Sequence, residues 1–95
     1  MTEREQYIEK AKARLDQWNA DIDKMEARMA EANADAKIEY RKHLDEMRNR
    51  RASADAQLKE LRNASDEAWD DMKSGFNKAW DSIAGAFDHA MSRFK

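Results

Sequence analysis

The chain has no cysteine, no proline and only two glycines among its 95 residues. Without cysteine there is neither a disulfide framework nor a thiolate metal site, a composition compatible with the cytosol. Without proline, and with glycine only at Gly75 and Gly85, it lacks the turn residues that a compact β or α/β domain requires. Long apolar runs are also missing. No stretch approaches the roughly eighteen uninterrupted apolar residues of a membrane span. The opening MTEREQYIEK is charged from its third residue, unlike a secretory leader, so the expected location is cytoplasmic. Nor does charge of one sign dominate. Eighteen Lys and Arg face 20 Asp and Glu, for a net charge of −2. Residues 1–64 carry fourteen of each sign, and residues 65–95 carry six acids and four bases. Bulk charge therefore gives nucleic acid no attraction, and no nucleic-acid partner is expected.

What the chain does have is charge, at 40% of its residues, and a sustained helical rhythm. The rhythm is sharpest from Glu67 to Lys95, where an eleven-residue repeat sets Ala68, Ala79 and Ala90 in one series. Trp69, Trp80 and Met91 form the next series, followed by Met72, Ile83 and Phe94, with Phe76 and Phe87 completing the pattern. Eleven residues in three turns is about 3.67 per turn, close to the natural α-helix. All eight large side chains then share one face, an arc of about 160° with the alanines included. Only Lys73 intrudes near its edge. Burying eight such side chains is worth roughly 12–24 kcal/mol gross, so this face demands a partner surface.

The N-terminal half carries a second pattern. Thr2 and Glu5 make a T-x-x-E capping box that starts a helix at once. Ile8, Ala11, Leu15, Trp18, Ile22, Met25, Met29, Ala32 and Ala36 then step by three and four, a heptad seam of about four repeats. The steps of four through Ala36, Tyr40 and Leu44 read as a stutter. Met47 follows, then a stretch whose only apolar residues are alanines (48–57), where strict counting places Arg51 on the seam; Leu58 and Leu61 restore it. The best helix break is RNASDE, where Asn63 is a poor helix former, Ser65 can cap a new helix, and Asp66 and Glu67 suit its positive end. A second break at 33–35 would make three segments of nearly equal length. A single uninterrupted helix would reach about 140 Å.

The residues offer little for catalysis. His43 and His89 lie far apart in sequence and read as solvated helix-surface residues, His43 with Glu39 one turn earlier. There is no Gly-rich phosphate loop, nucleophile elbow or metal-ligand spacing, so no catalytic residue, cofactor or metal is assigned and an enzyme is not expected. The basic run RNRR (48–51) has acids close by at Asp45, Glu46 and Asp55 and reads as a salt-bridged surface. The aromatic stripe has two readings. It is the core of a helix–helix interface, or it lies on a lipid surface. The acids Asp70, Asp71, Asp81 and Asp88 on its polar side favour the first, because helices for anionic lipid are usually Lys/Arg-rich.

The segments AKIEYRKHLDEMR, QLKELRNASDEAW and KAWDSIAGAF resemble a family of small bacterial coiled-coil proteins linked to stress response, known from cyanobacteria and proteobacteria. The resemblance covers about two-thirds of the chain, from Asp35 onward. It implies a soluble, non-enzymatic helical protein and supplies no catalytic residues. Many such relatives would carry a glycine before Glu-Ala-Trp, whereas this chain reads NASDEAW. A looser likeness extends to the eleven-residue repeats of apolipoproteins.

The expected fold is thus all-α, one helical unit over residues 1–95 arranged as a coiled-coil hairpin or helical bundle. A long helix over 1–62, irregular at 33–35 or 48–57, is followed by an amphipathic helix over 65–95. The alanine-rich middle offers the stripe few large partners, so self-association into a homo-oligomer is expected. The interaction residues are Trp69, Met72, Phe76, Trp80, Ile83, Phe87, Met91 and Phe94. The seam residues are Ile8, Leu15, Trp18, Ile22, Met25, Met29, Leu44, Met47, Leu58 and Leu61. The expected function is a non-enzymatic structural or interaction module, related to stress, with a protein partner reached through the stripe; the competing reading is peripheral lipid binding by the same stripe.

Overall fold

A computed structural model describes residues 2–93 and places almost all of them in three α-helices, α1 (Glu3–Glu31), α2 (Ala34–Asn63) and α3 (Asp66–Arg93). Each start is marked by a short polar side chain. Thr2 accepts from the backbone N–H of Glu5 at 3.1 Å, Asn33 from that of Ala36 at 2.9 Å, and Ser65 from that of Ala68 at 3.2 Å. Each bond satisfies a donor that the first helical turn leaves unpaired.

The long helix expected over 1–62 is therefore two helices. The chain turns at Ala32–Asn33, where both residues have extended backbone and Asn33 opens α2. The irregularity considered for 48–57 does not occur, because α2 runs unbroken through it. The seam survives there by a change of residue. Ala54 is fully buried, while Arg51 stays at the edge and donates to Asn19 Oδ1 of α1 at 3.2 Å. The turn before α3 needs no glycine: among the described residues no backbone φ is positive.

Contacts fix the topology. Arg48 reaches Glu26 and Arg51 reaches Asn19, so α2 runs antiparallel to α1. Tyr7 meets Trp69 and Phe76, and Trp18 meets Trp80 and Phe87, so α3 returns parallel to α1. The result is an up-down-up bundle of 51 × 21 × 19 Å, its length set by helices of 28–30 residues. The backbones of α1 and α2 approach most closely, whereas α1 and α3 meet mainly through large aromatic side chains. Among the described residues no helix is long and apolar enough to cross a membrane.

One core runs along the bundle axis. Leu15, Trp18, Ile22 and Met25 of α1 meet Leu44, Met47, Ala54, Leu58 and Leu61 of α2 and the stripe of α3. Ile8 and Met29 are half-buried at its two ends. Ile38 is the exception among large apolar residues: it sits off the Ala36–Tyr40–Leu44 line and is 71% exposed.

Candidate functional site: the aromatic column between α1 and α3

Within one chain the stripe finds the cover it requires. Trp69, Phe76, Trp80, Ile83 and Phe87 are all buried, and Met72 and Met91 are half-buried at its margins. Phe94 lies outside the described residues. The large partners come from α1 more than from the alanine-rich part of α2. Trp18 stacks on Phe87 with centroids 5.2 Å apart and planes at 15°, and packs on Trp80 at 4.9 Å and 39°. Trp80 lies 4.8 Å from Phe76, which lies 5.5 Å from Tyr7, which meets Trp69 edge-on at 5.2 Å and 77°. Six rings thus form a continuous column from Trp69 to Phe87, in offset and edge-to-face arrangements favoured by the ring quadrupoles.

The N-terminal end of the column is clamped by charge. The Arg4 guanidinium and the Lys73 ammonium lie 5.9 and 5.7 Å from the Trp69 ring centre, within the range of cation–π attraction. Lys73, the residue that intrudes on the apolar arc, donates to Glu3 Oε1 of α1 at 2.9 Å, and this bond raises its pKa above the usual lysine value. Arg4 does more. Its Nη2 lies 2.7, 2.9 and 2.6 Å from the carbonyl oxygens of Leu61, Arg62 and Ala64. A cation thereby adds to the capping of α2 at its negative end, where Leu61 O also accepts from the Ala64 N–H at 3.4 Å. Arg4 also reaches Asp66 at 3.6 Å, so one side chain ties the start of α1 to the α2–α3 turn.

Neither Arg4 nor Tyr7 stood out in the sequence. Tyr7 sits one residue before the seam, and its hydroxyl donates to Asn77 Oδ1 of α3. Burial is the largest influence on Tyr7 and pushes its pKa above the ordinary tyrosine value; Asp81 raises it further, while Arg14 and Lys73 oppose. Trp80 carries a different feature. Its indole Nε1 is buried with no hydrogen-bond partner among the described residues. An orphaned buried donor of this kind costs about 1–3 kcal/mol.

The two histidines, distant in sequence, come to one cleft of about 90 Å³ between α2 and α3, together with Glu46 and Arg50. The expectation that both are solvated needs correction for His43, whose side chain is only 19% exposed and lies 3.7 Å from Glu39. Among the described residues no group of three or more ligating side chains could hold a metal ion. The arginines of RNRR are engaged at the surface: Arg48 with Glu26 at 2.6 Å and Asp45 at 3.7 Å, Arg50 with Glu46 at 3.1 Å. The bond to Glu26 holds the Arg48 pKa above its ordinary value.

Comparison with protein families, with curated proteins and with solved structures finds no match to this chain.

Proposed function

We propose that this chain is a non-enzymatic interaction module that stores the face of α3 inside its own bundle and works by releasing it to a second helix, either another copy of the chain or a protein partner. The observation that carries this reading is the contrast within α3. Its stripe is the most aromatic surface of the chain, yet its helix contains Gly75 and Gly85. An added Cβ would meet nothing within 4 Å at either position, and neither has positive φ. Each glycine lowers helix stability by about 1 kcal/mol relative to alanine, without a packing or backbone reason. α3 packs on α1 through the ring column and is secured at the surface by the Glu3–Lys73 and Arg14–Asp81 ion pairs. A helix with a strongly apolar face and weakened local propensity is suited to leave the bundle before the α1–α2 hairpin does. The resemblance to the stress-linked family supplies a setting in which such release would be useful.

Light scattering behind size exclusion tests the reading. The wild-type chain should associate with rising concentration, whereas Gly75→Ala/Gly85→Ala, which holds α3 helical and docked, should keep the mass of one chain over the same range. Equal association of both proteins would overturn release as the route to assembly. The same released helix could instead meet a lipid surface, a reading favoured by the breadth of its apolar arc. Transfer of the wild-type chain into the fraction of neutral phosphatidylcholine vesicles would put that reading first.

A further inference from the structure

Beside the aromatic column, α1 and α3 frame a cleft of about 90 Å³, lined by Tyr7, Lys10, Arg14, Phe76, Asn77 and Trp80 among others. Its polar groups are mainly donors. Lys10 offers three N–H donors and has no ion-pair partner among the described residues. Arg14 offers five and pairs with Asp81 at 3.6 Å in an exposed contact. Asn77 uses its carbonyl oxygen to accept from the Tyr7 hydroxyl, which leaves the amide N–H₂ to donate. Trp80 contributes its ring to the wall, while its indole N–H is closed off from solvent. None of the residues lining the cleft is acidic. Donors from two helices therefore border the cleft, beside the Asp81 carboxylate that is paired with Arg14.

We propose that this cleft is a binding site for a small oxyanion, of the carboxylate or phosphate class. Such a ligand is rich in acceptors at neutral pH, and its charge answers Lys10 and Arg14 with charge-assisted bonds. The volume suits it: the cleft has room for roughly three water molecules, hence for an anion of four or five heavy atoms. Tyr7 and Phe76 supply an apolar wall that raises the strength of those bonds by limiting solvent. Lys10 and Arg14 are the ligand-binding residues, Asn77 orients the anion, and the Trp80 ring in the wall reports its arrival. The site depends on the bundle being closed and not on release of α3, so it stands or falls apart from the function proposed above.

The indole N–H resonances of the full chain provide the test. They are assigned by single Trp→Phe variants and followed in ¹H–¹⁵N spectra during separate titrations with inorganic phosphate and with acetate, against sodium chloride at matched ionic strength. The Trp80 resonance should move saturably with at least one oxyanion and not with chloride, and whichever oxyanion saturates at lower concentration gives the ligand class. Lys10→Gln/Arg14→Gln, both at exposed positions, should retain the wild-type helical circular dichroism and bind at least about tenfold more weakly. No saturable movement in wild type, or an equal response in the double variant, would overturn the site.

Discussion

Trp18 of α1 and Trp80 of α3 face each other at the middle of the bundle, ring centres 4.9 Å apart and planes inclined by 39°. Both are buried, at 4% and 2% exposure, and each also touches a phenylalanine of α3. The pair is where the N-terminal seam and the C-terminal stripe become one core. Truncating either, as Trp18→Ala or Trp80→Ala, should cost about 3–5 kcal/mol in denaturant unfolding. A double-mutant cycle should return a coupling of about 0.5–1.5 kcal/mol, and additivity would mean that the two rings do not touch in solution.

Arg4 should matter far more than an exposed first-turn residue ordinarily does. Its three carbonyl contacts at the end of α2 and its place beside Trp69 predict a loss of about 1–3 kcal/mol for Arg4→Ala. Arg4→Lys should restore only part of this, because one ammonium nitrogen at the carbonyls leaves the Nη1 contact to Asp66 unmade. Urea midpoints at constant slope decide it, and an Arg4→Ala midpoint within error of wild type would remove Arg4 from the account.

Gly75→Ala and Gly85→Ala should each stabilise the chain by about 0.5–1 kcal/mol, since the new methyl meets open space and the helix gains propensity. Thermal unfolding followed at 222 nm reads the change. A destabilised variant would show that the backbone at that position needs glycine for a reason its geometry does not display.

Tyr7 predicts alkaline sensitivity. Its folded pKa is raised, so the folded state holds the phenolic proton more tightly than the unfolded chain. The resulting stability is complete below the unfolded tyrosine value near 10 and is lost as pH rises through the folded value. Lys73, raised by its bond to Glu3, adds to the loss in the same direction. Tyr7→Phe should flatten the alkaline fall in unfolding free energy above about pH 10 relative to wild type. An unchanged slope would assign the fall to Lys73 and its neighbours alone.

The buried faces and the start of the last helix were legible because their determinants are local. The spacing of Ile8 to Met29 and of Trp69 to Met91 marks buried faces, and Ser65 is a short polar residue placed where a helix can start. The choice between a hairpin, a bundle and one long helix was not legible, since all three bury the same seam. It turns on whether Ala32–Asn33 bends, and an alanine-rich stretch tolerates either. The need for a second chain was inferred from the poverty of α2 in large side chains. That inference overlooked α1, whose Trp18 and Tyr7 supply the cover for α3. Arg4 and Asn77 had no pattern to betray them, because their partners arrive from 57 to 70 residues away.

The account rests on α3 being the helix that leaves first. Native-state hydrogen exchange measured by mass spectrometry, on peptides from each helix of the intact chain, tests this most directly. The prediction is that peptides of Asp66–Arg93 exchange through an opening of lower free energy than those of Glu3–Glu31 and Ala34–Asn63, and that Gly75→Ala/Gly85→Ala narrows the gap. Loss of protection in all three helices together, in wild type and variant alike, would make the bundle a single cooperative unit and contradict the release of α3.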